Sequence, residues 1–484
     1  MAKKGSLFQL VKALSKTEKR HFKLSQPHNG ANNYMQLFEF VDQQQNHNNQ
    51  AIKDHFHGAN FTRQLHVAKN YLTSQILKSL RTYHAGGSVN IKITEWLGEI
   101  EILYKKELYN QAGDIIKKAK AKAVKYERFN LLLEVLSWER KLLIAQLGSG
   151  HAAAHMQKLL DDEAQVLKQL TNLNTYLQIT YKVFGGAFDS AFFNQFNNNP
   201  LLQSEDQALS FSALNLYYHL KYVLTTFGGN PDAGLEYISQ LIEAYEARAY
   251  LIKENPDGYV TALNNKMSAF VHLRRTDEAL EFLYKIRAVP DQYGLKQDNY
   301  IIKVFLKTYN VELELYRDTQ SWHRGLELIE EIKSFLSNNM KVVGEAYLIS
   351  FYFQFAYIFF KTKNYSQALH AANFIVDKPS QKERTDLQIF ARLLLLMIHY
   401  ELGNITVLKY IVEATRRYLK KVRASMKFEK RLLKFFAKLS TMAVSQHKSL
   451  FQEEKEKLFL GLSDAEKAHI LDFVDFESWL IEKS

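Results

Sequence analysis

The residues whose types and spacing point to chemistry are cations. Between 416 and 438 the chain carries Arg416, Arg417, Lys420, Lys421, Arg423, Lys427, Lys430, Arg431, Lys434 and Lys438 against one acid, Glu429. At about 100° per residue, all of them but Lys421 fall within an arc of roughly 140° if one helix runs through the segment. A break near Ser425, a suitable cap, places two basic faces on successive helices instead. The opposite side holds Val422, Met426, Leu432, Leu433 and Phe436. Such a ridge holds phosphates or carboxylates through charge-assisted hydrogen bonds. The same pattern also suits a solvated face, or one packed against the acidic C-terminus.

A second basic set is Arg63, Lys78 and Arg81, with Asn70, on a helix expected at 61–84. Its buried stripe is Phe61, Leu65, Ala68, Leu72, Ile76 and Tyr83. With 50–57 before it, the segment invites a helix-turn-helix reading for DNA. Placing Gly58 in the turn, however, puts Lys53, His57 and Gln64 where that motif needs apolar residues. A third set, Asn264, Asn265 and Lys266, suits an extended peptide, because a carboxamide both donates to and accepts from a peptide backbone. His151 and His155 have the i, i+4 spacing of metal ligands, but no Glu follows the first and no third ligand is near, so no metal is expected. No phosphate loop, dinucleotide fingerprint or nucleophile elbow occurs, so neither an enzyme nor a cofactor is expected.

The elements that must position these residues follow from composition. The 484 residues include 20 Gly and 6 Pro, roughly half the density of an average globular chain. Sandwiches and multi-loop α/β enzymes need more turn residues than this. The absence of Cys excludes disulfides, thiolate zinc sites and Cys nucleophiles. The apolar windows Tyr347–Phe360 and Leu387–Tyr400, the latter interrupted by Arg392, fall short of the roughly 18–20 residues of a membrane span. The N-terminus makes a poor secretory signal. A soluble, cytoplasmic protein is expected.

The net charge of +12 is uneven. Residues 1–90 hold 12 Lys and Arg against 4 Asp and Glu, residues 403–460 hold 14 against 5, and the last 24 hold 2 against 6. The middle of the chain is close to neutral, so any anionic partner is expected at the ends.

Apolar residues recur at three and four spacing, which specifies helices. Capping boxes are expected at Ser15/Glu18, Ser463/Glu466, Ser204/Gln207 and Thr385/Gln388. All six prolines are expected between helices. One spacing recurs four times: Trp96, Ile100, Leu103, Tyr109, Ala112, Ile116, Ala119; Leu263, Met267, Phe270, Thr276, Ala279, Leu283, Ile286; Tyr309, Leu313, Tyr316, Trp322, Gly325, Ile329, Ile332; and Tyr352, Ala356, Phe359, Tyr365, Ala368, Ala372, Ile375. The small residue in each lets two helices approach closely.

These segments resemble the tetratricopeptide repeat family. YKKELYNQA at 104–112 and FFKTKNYSQA at 359–368 look like its inter-helix turn, and DEALEFL at 277–283 looks like the start of its second helix. The resemblance covers about a third of the chain. It implies a right-handed superhelix of antiparallel helix pairs that serves as a platform for proteins or peptides, with Asn264, Asn265 and Lys266 on the helix lining its concave face. The segment near Ile405 has Leu408 in place of the small residue, and 125–250 reads as helical without the pattern. The whole chain is also similar to uncharacterised helical-repeat proteins of bacteria, which supplies no activity.

The expected architecture is all-α: a basic helical N-terminal domain at 1–88, an α-solenoid of helix hairpins at 89–462, and an acidic C-terminal capping helix at 463–484. The expected function is a non-enzymatic scaffold for a protein or peptide partner. Nucleic-acid association through 1–85 and 416–438 is the alternative.

Overall fold

A computed structural model describes residues 6–26, 33–84, 86–146, 152–186, 192, 195–196, 198–295, 299–340, 342–377, 383–422 and 427–484. Among them are 24 α-helices and four short 3-10 turns, with no strand. The chain divides into two compact units, Met1–Ala269 and Phe270–Ser484. The division falls inside the helix Asp257–His272.

In the first unit, the helices between Ser6 and His84 close on their own core of Leu7, Val11, Phe22, Leu37, Phe38, Ile52, Leu72 and Ile76. A second core begins at Val89 and runs through Ile93, Ile100, Ala112, Ile116, Ala119, Leu132 and Leu136. The apolar residues of each helix recur every three or four positions, so each presents one stripe to its neighbours. Helices adjacent in sequence pack as pairs: Val89–Lys105 on Tyr109–Lys125, and Phe211–Phe227 on Pro231–Glu246. The second unit pairs Glu345–Lys361 with Tyr365–Val376, Thr385–Glu401 with Ile405–Lys421, and Ile405–Lys421 with Lys427–Leu439. Glu345–Lys361 is buried nearly all round, including Phe351, Phe353, Phe355 and Ile358, as its uniformly apolar sequence requires.

One turn closes seven of these junctions. It places Glu107, Glu127, Gly229, Arg274, Gln320, Lys363 and Gly403 in the left-handed region, with φ between 51° and 98°. In each, the next residue's amide donates to the carbonyl five positions back, at 2.8–3.0 Å: Leu108 to Leu103, Arg128 to Ala123, Asn230 to Thr225, Arg275 to Phe270, Ser321 to Tyr316, Asn364 to Phe359 and Asn404 to His399. The left-handed residue's own amide donates three positions back, completing a Schellman end that satisfies the orphan carbonyls. Five positions beyond each left-handed residue lies a buried one: Ala112, Leu132, Gly234, Ala279, Gly325, Ala368 or Leu408. The four matched hairpins thus share one backbone solution, and the segment at Ile405 shares it despite Leu408.

Several expectations are corrected. Residues 125–250 do contain a hairpin of this type, Phe211–Phe227 with Pro231–Glu246. Its signal is hidden because Thr225 and Pro231 stand where the other four carry large apolar or aromatic residues or Thr276. Pro290 lies inside Thr276–Tyr293, near its end, where the lost amide bond costs only the final turns. Pro27 and Pro379 lie outside the described residues. The capping boxes at Ser15/Glu18 and Ser463/Glu466 form. Those with Gln do not: Thr385 is already helical behind Arg384 at φ 49°, and Ser204 caps only a 3-10 turn. The single helix expected at 463–484 is two helices, Asp464–Phe473 and Phe476–Lys483, because the Asp475 carboxylate accepts from the Ser478 amide at 3.0 Å and starts a new helix. Trp479 is buried there, stacks on Phe436, and donates its indole N–H to Glu401 at 2.6 Å.

Candidate anion-binding surface

The basic segment forms two helices, Ile405–Lys421 and Lys427–Leu439. The single arc of a continuous helix is therefore replaced by two basic faces. Ser425, Arg423 and Met426 lie outside the described residues. On the first helix Leu408, Val412, Thr415, Tyr418 and Leu419 are buried, while Arg416, Arg417 and Lys420 are exposed. On the second, Phe428, Glu429, Leu432, Leu433, Phe435, Phe436 and Leu439 are buried, while Lys427, Lys430, Lys434 and Lys438 are exposed. This separation follows from the strict three and four spacing of the apolar residues.

The cations divide by what they touch. Arg416 pairs with Glu413 one turn back. Lys438 pairs with Glu454 at 2.6 Å, and the bond to that carboxylate raises its pKa. The Arg431 guanidinium donates to the carbonyls of Leu458 and Leu460, just beyond the end of His447–Lys457. Lys427 acts at longer range: the Glu466 carboxyl is held low first by the Ser463 amide bonded to it and more weakly by Lys427. Arg417, Lys420, Lys430 and Lys434 have neither a hydrogen bond nor an ion pair among the described residues, and all four are exposed. The packing reading thus accounts for Lys438 and Arg431 and leaves these four facing solvent.

The N-terminal set is dispersed. Arg63 sits in the 3-10 turn Asn60–Gln64, while Lys78 and Arg81 follow on Leu65–His84. All three are exposed. Lys53, His57 and Gln64 are exposed as well, which removes the apolar contacts a helix-turn-helix needs.

Asn264 bonds within its own helix, while Asn265 and Lys266 meet neighbouring helices. The Asn264 amide donates to the Val260 carbonyl at 2.8 Å, and its side-chain oxygen is sealed from solvent without a partner. Asn265 Nδ2 lies 3.3 Å from His219 Nδ1, and its carbonyl accepts from the Tyr222 hydroxyl at 3.1 Å. Lys266 donates to the Ser239 hydroxyl at 2.8 Å. Burial pushes His219 down to about 4, so it is neutral at pH 7. The Asn265 and Lys266 contacts bind Asp257–His272 to the preceding hairpin.

His155 is exposed, 3.8 Å from Glu139, and His151 lies outside the described residues. No group of three or more His, Cys, Asp or Glu suited to a metal occurs among the described residues, and no described helix is long and apolar enough to cross a membrane.

Sequence reasoning missed a polar cluster around the buried Glu312 in the second unit. Arg287 lies 2.6 Å from Glu312, 3.0 Å from the Thr308 hydroxyl and over the Tyr309 ring. The Tyr284 and Tyr316 hydroxyls donate to the other Glu312 oxygen at 2.8 and 2.9 Å. The one sequence signal was Glu312 at an otherwise apolar helical position, beside Leu313. It also missed Glu127, whose carboxylate accepts from the Phe211 and Ser212 amides at 2.6 and 2.8 Å and from the Ser212 hydroxyl at 2.7 Å. A residue 84 positions from the helix it caps leaves no local signature.

No protein-family model matches the chain, and a comparison with curated proteins finds no match.

Proposed function

We propose that this chain is a non-enzymatic helical-repeat scaffold, similar to tetratricopeptide repeats in its hairpins, that captures an acidic protein segment on the basic faces of Ile405–Lys421 and Lys427–Leu439. One observation carries this reading: Arg417, Lys420, Lys430 and Lys434 are exposed and unpaired among the described residues, so like charges accumulate on two successive helices. The recurrent hairpin turn supports the solenoid part of the reading. The contacts of Asn264, Asn265 and Lys266 within the fold move the binding surface away from a peptide groove at those residues.

Nucleic-acid association is the second reading, favoured by the exposed Arg63, Lys78 and Arg81, which add cations in the first unit. Fluorescence anisotropy separates the two. An Asp/Glu-rich peptide and duplex DNA or RNA are titrated against the wild type and the fourfold variant Arg417→Glu, Lys420→Glu, Lys430→Glu, Lys434→Glu. Saturable peptide binding lost in the variant supports the scaffold. Preferential duplex binding, with a log–log salt slope of about −0.9 per phosphate neutralised, supports the second reading. Equal peptide binding by wild type and variant contradicts the scaffold, and no duplex binding by the wild type at low salt contradicts the second reading.

A further inference from the structure

A cleft of about 670 Å³ opens in the first unit, between the start of Val89–Lys105, the end of Tyr109–Lys125 and the short helix Ala249–Glu254. Its volume lies within the range of small-molecule sites. Three aromatic rings line it: Trp96, Tyr126 and Tyr250, each half-buried. Tyr126 and Tyr250 meet edge to face with centroids 5.4 Å apart. Lysine ammonium groups lie beside these rings. Lys92 is 5.2 Å from the Trp96 ring, Lys122 is 5.7 Å from Tyr126, and Lys125 is 4.8 Å from Tyr250.

The charge balance decides which ligand fits. Both acids lining the cleft are already engaged: Glu95 by Lys92 at 2.8 Å, and Glu254 by Arg128 at 2.5 Å. Lys122 and Lys253, which also line it, have no carboxylate partner among the described residues. Among the described residues Lys122 is held only by a cation–π contact, which leaves its ammonium N–H groups to donate to an anion. The first turn of Val89–Lys105 contains no acid, and Ser88 satisfies only the Ile91 amide, so the positive helix end adds to the lysines. A cationic ligand is disfavoured here, while a bare anion leaves the rings unused.

We propose that this cleft binds a nucleoside phosphate unit, with the base packed against the aromatic wall of Trp96, Tyr126 and Tyr250, face-on to one of the two perpendicular tyrosine rings and edge-on to the other, and the phosphate held by Lys122 and Lys253. The same chemistry comes from a free nucleotide or from one unit of a single strand. The proposal does not rest on the basic faces of the second unit.

Isothermal titration of the full chain with AMP, ATP, adenosine, pyrophosphate and a short single-stranded oligonucleotide tests it. AMP or ATP is expected to bind at least about tenfold more tightly than adenosine or pyrophosphate, because base and phosphate contacts add. Lys122→Ala and Lys253→Ala are each expected to weaken nucleotide binding about tenfold, the worth of one charge-assisted hydrogen bond. Tyr250→Leu weakens AMP and leaves pyrophosphate unchanged, while Lys117→Ala, exposed on the same helix as Lys122, changes neither; circular dichroism checks that each variant folds. An oligonucleotide that competes with AMP and binds more tightly assigns the strand as source. AMP binding without it assigns the free nucleotide. Pyrophosphate binding as tightly as ATP, no saturable binding at low salt, or full binding by the Lys122 and Lys253 variants overturns the proposal.

Discussion

Glu107 and Glu127 occupy the same left-handed turn position, with φ of 61° and 51°, yet replacing each by Gly should move stability in opposite directions. A non-Gly residue in this conformation costs about 1–2 kcal/mol, and Gly returns about 0.4–1 kcal/mol of that through its freer unfolded chain. Glu107 is exposed and makes no side-chain bond among the described residues, so Glu107→Gly should stabilise by about 0.5–1 kcal/mol. Glu127 spends its carboxylate on three donors at the start of Phe211–Phe227. Losing a helix cap costs up to about 2 kcal/mol, so Glu127→Gly should destabilise by about 1 kcal/mol after the backbone gain. At about 2–4 °C per kcal/mol for a unit of this size, thermal unfolding should rise by about 1–4 °C for Glu107→Gly and fall by about 2–4 °C for Glu127→Gly. Scanning calorimetry on the full chain reads both. Shifts of the same sign in the two variants would refute either the shared turn or the capping role of Glu127.

The remaining predictions concern packing and titration. His219 is held near 4 by burial against about 6.5 unfolded, so the unfolded chain binds the extra proton between those values. Stability of the first unit should therefore drop as pH falls from about 6.5 towards 4, by at most roughly 3 kcal/mol, and His219→Gln should flatten that slope in urea titrations; an unchanged slope excludes His219 as the cause. A Cβ added at Gly234 meets the Thr226 hydroxyl at 2.1 Å, so Gly234→Ala should cost about 1–3 kcal/mol in chemical denaturation, and a neutral result means the hairpin crossing is looser than described. Arg287→Met strips the buried Glu312 of its cation and should destabilise the second unit by about 3–5 kcal/mol, whereas adding Glu312→Leu should recover most of the loss; additive losses contradict the pairing.

What was legible depended on locality. Ala112, Ala279, Gly325 and Ala368 announced four hairpins because their packing partners recur at fixed offsets on two consecutive helices. The segments 104–112 and 359–368 marked where two of the turns fall, but their left-handed geometry was not legible, since those positions carry Glu107, Arg274, Gln320 and Lys363, residues with no turn signature. That choice also explains how seven left-handed turns coexist with few glycines: only Gly229 and Gly403 among them are Gly. Failures came where a distant partner or a single side chain overrode the pattern. Asp475 split the C-terminal helix by capping Phe476–Lys483, and Thr225 with Pro231 disguised a further hairpin. The basic ridge was legible as amphipathic helix. Its division into engaged and unengaged cations was not, because Arg431 and Lys438 find partners at Leu458, Leu460 and Glu454 only after His447–Lys457 has packed.

The central claim, that the unengaged cations are the docking surface, is tested most directly by affinity purification of the full chain and of its Arg417→Glu, Lys420→Glu, Lys430→Glu, Lys434→Glu variant, each with and without nuclease. The account predicts an acidic protein retained by the wild type after nuclease treatment and absent from the variant. The same protein recovered equally by both would contradict it.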